Sequence, residues 1–275
     1  NGTLLVSVTA AGRTWNYGYG QVEGQNRLTA VTQPDGSTWS YAYSSALRAW
    51  EKVNWDGNSN ETCQEQPPER DGTLVMTIKH PSGAMGEFQF SNGRQYRSGV
   101  HASECIRRIA QSAYYYEIVT PFFYDVVSLR AKKIWGPGLP KVLQWSYDYG
   151  SGYEPLWGGV GGAAIYPCTT CKKEKQVTIS NPDGTRTAYR YGSQYALNEG
   201  RLLGSSVIDA AGNVVKSSTS VYMTEDEVKS QPFAPLHGMI YSGDEPSTAQ
   251  VRPVVAEAIQ QDGVTYQTSI LLFDD

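Results

Sequence analysis

Chemistry-bearing side chains are scarce in this sequence. Its 275 residues include only 3 histidines and 4 cysteines. Histidine is the side chain most often used as a general acid or base, so the usual catalytic constellations have few residues to be built from. Charge is thin too: 18% of residues are charged, the net charge is −4, and no long basic run occurs. The densest cationic stretch is Lys172, Lys173 and Lys175, with Glu174 inside it. A nucleic-acid interface needs a cationic stripe to displace counterions from phosphates, so the sequence argues against nucleic acid as a partner. No apolar run approaches the roughly 18 residues of a membrane span. No signal peptide is visible, yet the chain opens in what reads as mid-strand, Leu4-Leu5-Val6, with no initiator Met. Such a start is expected of a processed or cut end, and Leu271-Leu272-Phe273 stops as abruptly. A missing signal therefore says nothing against export.

The few reactive groups do not converge on a site. Cys63, Cys105, Cys168 and Cys171 form an even set, which suits an oxidising compartment: secreted, periplasmic or cell-surface. Three pairings are open. Cys63–Cys105 with Cys168–Cys171 is favoured, because the second pair sits in one tight Pro-led turn, Pro167-Cys-Thr-Thr-Cys171. Four reduced thiols are the plainer alternative. Cys168-x-x-Cys171 could supply half of a zinc site, but Cys63, Cys105 and His101 offer no second close pair, so no metal or cofactor is expected. Thioredoxin-like redox chemistry would need βαβ flanks that are missing here. His101 precedes Cys105 by four residues, a spacing that permits a Cys/His nucleophile pair on one helical face. A disulfide cysteine near an ordinary surface histidine is the simpler reading. Nothing distinguishes Glu51 with Asp56, or Glu117 with Asp125, as the paired carboxylates of a glycosidase. Glu225-Asp226-Glu227 reads as a solvated turn, and the Gly-rich 158–162 segment lacks the Lys and Ser/Thr of a phosphate loop.

Aromatic and turn-forming residues, by contrast, are abundant: 19 Tyr and 7 Trp beside 6 Phe, with 28 Gly and 14 Pro. They recur in a fixed pattern. Leu28–Tyr43 (LTAVTQPDGSTWSYAY), Val75–Phe90 (VMTIKHPSGAMGEFQF) and Gln176–Tyr191 (QVTISNPDGTRTAYRY) share a Pro-Asp/Ser-Gly turn. Each has Val or Ile three residues before the Pro, and aromatics five and seven residues after the Gly. Pro sets φ for the turn and Gly tolerates φ > 0. Aromatics two residues apart point to one face of the outgoing strand. Gly12, Gly36 and Gly138 lead to Trp15-Tyr17-Tyr19, Trp39-Tyr41-Tyr43 and Trp145-Tyr147-Tyr149, and weaker copies centre on Gly212 and Gly263. One hairpin is marginal alone, so the copies need each other. The expected fold is all-β: stacked antiparallel β-hairpin repeats forming a long twisted sheet, open or partly wound.

The turn glycines are unevenly spaced, which places insertions near 54–70 and 150–173 of a repeat region covering 1–222. Residues 223–275 then read as a polar linker and a terminal hairpin, Val254–Phe273. Ala113–Trp135 reads as two strands around Pro121, and His101–Ala110 is open between loop and short helix.

The order of these motifs resembles the RHS/YD-repeat family. Paired tyrosines lead to an Arg-Leu step and then to a Gly turn twice: Tyr17-Gly-Tyr19, Asn26-Arg-Leu-Thr29, Pro34-Asp-Gly36; and Tyr189-Arg-Tyr191, Gly200-Arg-Leu-Leu203, Ala211-Gly-Asn213. The naming Tyr-Asp step stands at Tyr147-Asp148 and Tyr124-Asp125. The match covers residues 1–45 and 175–222, more weakly 72–92 and 134–150. The resemblance implies a strip of antiparallel sheet that in full-length members winds into a shell around toxin or other secreted cargo. Other members are secreted or surface adhesive proteins. The family's Asp-Pro-x-Gly self-cleavage core is missing here, as is a recognisable C-terminal toxin domain.

Two functions follow as expectations. The first is a non-catalytic structural module, with other parts of a larger RHS-type polypeptide or a secreted cargo as partners. The second is a binding module for surface glycan or a partner protein. The aromatic stripe serves either: it packs neighbouring hairpins, or it stacks sugar rings. Trp15, Trp39, Tyr41, Trp145 and Tyr147 are the candidate ligand-binding residues, with Trp50, Trp55, Trp135 and Trp157 outside the repeat register.

Overall fold

A computed structural model describes residues 4–45, 72–96, 123–150, 173–193, 198–230, 252–271 and 273. The described chain is all-β apart from one helix of five residues, and its strands pair antiparallel in chain order. It divides into two compact units. The first (Asn1–Glu51, Glu69–Gly93 and Asp125–Tyr147) is built from β1 (Ser7–Ala10), β2 (Arg13–Val22), β3 (Gln25–Thr32), β4 (Thr38–Tyr43), β5 (Thr73–Lys79), β6 (Met85–Tyr96), β7 (Phe123–Trp135) and β8 (Leu143–Asp148). The ends of β6, β7 and β8 pass beyond its bounds. The second unit holds β9 (Glu174–Ser180), β10 (Arg186–Gly192), β11 (Leu202–Ile208), β12 (Val214–Tyr222), α1 (Glu225–Lys229), β13 (Val254–Gln261) and β14 (Val264–Ser269).

Turn chemistry accounts for the hairpins. Four turns share one hydrogen-bond pattern. Gln33, His80, Asn181 and Asp209 each donate N–H to the carbonyl four residues on, and each accepts from the N–H of the Gly three residues on, at 2.8–3.1 Å. Gly36, Gly83, Gly184 and Gly212 take φ of +83 to +95°. That is a tight turn closed by a left-handed glycine, the geometry for which Pro-Asp-Gly is suited. Three two-residue turns are of the other kind: Ala11-Gly12, Glu23-Gly24 and Asp262-Gly263 all have positive φ at both positions. All seven glycines read as turns in the sequence, including Gly138 at +83°, sit in turns between consecutive strands. Glu23-Gly24 adds one that the repeat pattern did not mark.

Registers define two faces. In the first unit, Tyr17, Val31 and Trp39 lie in one cross-strand row. Tyr41, Ile78 and Gly86 form a second row, and Tyr43, Met76 and Phe88 a third. The opposite face carries Ser40 with Lys79, and Ala42 with Thr77 and Glu87. Ser40 and Ala42 are exposed while Trp39, Tyr41 and Tyr43 are half-buried, as expected from period-two alternation. In the second unit one row crosses all six strands: Val177, Tyr189, Ser205, Ser218, Ile259 and Tyr266. Deep burial is rare. Among the described residues only Leu74, Ala131, Ala188 and Met223 are buried hydrophobics. Among the described residues the apolar face is therefore mostly half-buried rather than deeply buried.

The sequence read Glu225-Asp226-Glu227 as a solvated turn, but it opens α1. Thr224 caps it: its hydroxyl accepts from the Glu227 N–H, and the Glu227 carboxylate accepts from the Thr224 N–H at 2.7 Å. This capping box satisfies donors that would otherwise be orphaned. The terminal hairpin forms as β13 and β14. The four cysteines, His101, His237, Trp50, Trp55 and Trp157, and both predicted insertions lie outside the described residues, apart from Gly150 and Lys173 at the ends of the second.

Candidate functional site

The candidate aromatics stand on the even-numbered strands of the first unit. Trp15 on β2 faces Val8, Trp39 on β4 faces Val31, and Tyr41 faces Ile78. Trp145 on β8 faces Lys132, whose Nζ lies 3.8 Å over its ring. The Trp39 ring meets His80 edge-on, centroids 4.4 Å apart at 90°. Tyr147 is half-buried two residues beyond Trp145 on β8. Glu87 and Lys133 pair at 2.8 Å on the polar face, which puts Lys132 and Trp145 on the aromatic face with Trp39 and Tyr41. Trp39 and Trp145 are four strands apart, roughly 19 Å at ordinary strand spacing. They cannot hold the same sugar ring. Trp135, outside the repeat register, closes β7.

A second arrangement recurs, and the sequence did not disclose it. Three tyrosine hydroxyls donate to leucine backbone carbonyls on the preceding strand segment: Tyr19 to Leu5 at 2.9 Å, Tyr43 to Leu28 at 3.0 Å and Tyr222 to Leu202 at 3.0 Å. Leu28 and Leu202 are the leucines of the two Arg-Leu steps. The arginines join in. The Arg201 guanidinium lies 5.0 Å over the Tyr222 ring, and Arg27 acts electrostatically on the Tyr43 hydroxyl. Burial pushes the Tyr43 hydroxyl above its ordinary range, with Arg27 opposing that rise. Arg201 is lowered, chiefly by burial and then by the neighbouring Arg252 charge; its guanidinium also donates to the Arg252 carbonyl.

The residue after Leu28 and the residue after Leu202 are β-bulges. The pairing of β2 with β3 skips Thr29, and that of β10 with β11 skips Leu203. A bulge bends the strand and re-aims its carbonyls. The same bulge follows the Arg-Leu step in both copies. The glycine after each second tyrosine sits in a crowded place. A Cβ on Gly20 would sit 2.9 Å from the Thr29 Cγ2, and one on Gly192 would run into Asn198.

The turn ends carry acceptors already in use. Asp35 Oδ1 accepts from the Ser37 hydroxyl at 2.6 Å and N–H at 2.9 Å; Asp183 Oδ1 accepts from the Thr185 hydroxyl at 2.7 Å and N–H at 3.0 Å. Asp209 accepts from the Asn213 N–H at 2.7 Å and side-chain amide at 3.0 Å. These bonds hold all three carboxyls below the ordinary carboxylate range. Hydrogen bonds from Lys133 and Gln89 do the same to Glu87. Among the described residues no group of three or more His, Cys, Asp or Glu side chains is placed to hold a metal ion, and no helix is long and apolar enough to cross a membrane.

Chemically, the described surface offers aromatic faces, aliphatic patches and hydrogen-bonded turns. Comparison with protein-family models and with curated proteins finds no match. The positioning of tyrosine, bulge and Arg-Leu step therefore rests on this chain alone.

Proposed function

We propose that this chain is a structural repeat module of a secreted or surface protein of the RHS/YD kind, non-catalytic, part of a sheet that encloses or displays another polypeptide. The observation that carries it is the tyrosine-to-leucine carbonyl bond, made three times between residues 14, 15 and 20 apart in sequence. It spends the most characteristic residue of the sequence on fastening strands. In the RHS-type reading, the leucines of the two Arg-Leu steps, Leu28 and Leu202, accept two of the three bonds, from Tyr43 and Tyr222. The test is a turnover and binding screen beside stability measurements. The expected result is no turnover and a strongly β circular dichroism spectrum. A catalytic activity abolished by one point substitution would overturn the reading.

A second reading, a glycan- or protein-binding module, is favoured by one observation: Trp39, Tyr41, Tyr43, Trp145 and Tyr147 are all only half-buried. An incompletely covered aromatic face marks interaction sites in other proteins. Trp39→Ala and Trp145→Ala discriminate, measured on a glycan array and by thermal melting. The structural reading expects a lower melting temperature and no change in glycan signal. Loss of glycan binding with melting unchanged transfers the function to the aromatic face.

A further inference from the structure

β1 and β14 are the first and last strands in the pairing order, and no described strand covers the outer edge of either. Edge strands are ordinarily blunted by charge, proline, bulges or a covering element. Among the described residues neither strand has any of these. Their sequences, Ser7-Val-Thr-Ala10 and Val264-Thr-Tyr-Gln-Thr-Ser269, carry no charge and no proline, and both pair with their neighbours without a register shift. Every residue of both is exposed.

The bonding groups on each edge follow from the turns. Two-residue turns close both hairpins, so the flanking residues exchange both hydrogen bonds. For β13–β14 the bonded pairs are then Gln261 with Val264, Ile259 with Tyr266 and Glu257 with Thr268. The Ile270 N–H bonding the Val255 carbonyl at 2.9 Å continues the series. Thr265, Gln267 and Ser269 therefore turn their backbone groups outward. For β1–β2 the bonded pairs are Ala10 with Arg13 and Val8 with Trp15, and the Tyr17 N–H bonding the Val6 carbonyl at 2.9 Å continues them. Ser7 and Thr9 face outward.

We propose that the outer edge of β14 takes β1 of a second copy of this chain, antiparallel, with Gln267 opposite Ser7. That register places Thr265 opposite Thr9 and Tyr266 opposite Val8, so outward groups meet outward groups. Faces match as well. Gln267 ends a row through Ala258, Thr219, Gly204 and Arg190, on the face away from Tyr189. Ser7 begins a row through Asn16, Thr32 and Thr38, on the face away from Trp39. The molecule supplies its own template for the contact. Val31 lies between two aromatics, Tyr17 and Trp39. Val8 has only Trp15, and Tyr266, 63% exposed, has only Ile259. The register gives each its second neighbour, and aromatic–β-branched pairs are among the favourable cross-strand contacts. A one-residue slip would set Tyr266 against Ser7 or Thr9 and mismatch every bond. The interface is heterologous: each pairing leaves one β1 and one β14 edge with no described strand on it, so in this chain growth is open-ended. It stands on edge geometry and does not rest on the function proposed above.

Light scattering after gel filtration tests this over a concentration series. The native chain gains mass in whole multiples of one chain as concentration rises. Ser7→Pro and Gln267→Pro each delete one outward N–H, at edge positions where proline is tolerated, and each variant alone stays monomeric. Mixed one to one they form a dimer, because the first keeps an intact β14 and the second an intact β1. Tyr266→Ser keeps every backbone group and weakens self-association several-fold, which guards against a misfolded proline variant. A native chain that stays monomeric at every concentration overturns the proposal, as does self-association of either proline variant alone.

Discussion

Tyrosine is the residue on which this fold turns, and its hydroxyl is the part that matters. A hydrogen bond from a side chain to backbone is worth about 0.5–1.5 kcal/mol net, more when its loss strands a buried acceptor. Tyr43→Phe and Tyr222→Phe should each cost about 1 kcal/mol in urea unfolding, while Tyr17→Phe, on the same face as Tyr19, stays within about 0.5 kcal/mol. No loss at Tyr43 and Tyr222 would mean that burial of the ring, not the hydroxyl bond, holds the strands. Glycine matters for a different reason. Gly36 has φ +83° and open space where a Cβ would stand, so Gly36→Ala carries only the left-handed penalty, about 1–2 kcal/mol. Gly36→Asn should recover part of that, since asparagine tolerates this region. If Asn is no better than Ala, crowding unseen in the folded turn is at work.

At the scale of elements, hairpins are held at their turns by carboxylates, and this makes them sensitive to acid. Asp35, Asp183 and Asp209 accept side-chain and backbone donors, Glu87 accepts from Lys133, and Glu227 accepts from Thr224 in the α1 cap. Each is depressed in the fold. Each therefore contributes stability above the unfolded carboxylate pKa, about 4, and loses it as pH falls through the lower folded value. The melting temperature should be flat from neutral pH down to about 5 and then drop. Asp35→Asn with Asp183→Asn should make the drop shallower, because two of the titrating groups are gone. A double variant with an unchanged acid limb would place the sensitivity elsewhere. Turns were also the most legible elements. Pro-Asp-Gly and Ala-Gly-Asn specify their geometry locally, within a few residues. Glu23-Gly24 escaped because glutamate at the first position is no turn signal. The helix after Thr224 escaped although Thr-x-x-Glu was present, because five residues carry no apolar periodicity to support it. The clamp was illegible for a physical reason: a bulge at Thr29 or Leu203 and a bond across 15 or 20 residues cannot be read from spacing along one strand.

At the scale of the whole molecule, the described residues hold little deeply buried apolar surface. With four buried hydrophobics among the described residues, cohesion comes from cross-strand neighbours, row by row, as in repeat proteins whose units bind mainly the units beside them. Two-state unfolding rests on a shared core, and long arrays lose that cooperativity. The chain divides into two compact units, and each contains left-handed turn glycines with empty space around them: Gly36 in the first, and Gly212, at φ +95°, in the second. Substituting either by alanine imposes nearly the same local penalty, so the pair probes coupling rather than chemistry. Scanning calorimetry should give a calorimetric enthalpy larger than the van't Hoff value, resolvable into two transitions. Gly36→Ala should lower one of them and leave the other in place, and Gly212→Ala should do the reverse. If both substitutions shift one common transition by the same amount, the two units unfold together, and stability that is local to the hairpins is the wrong description of how this chain holds its shape.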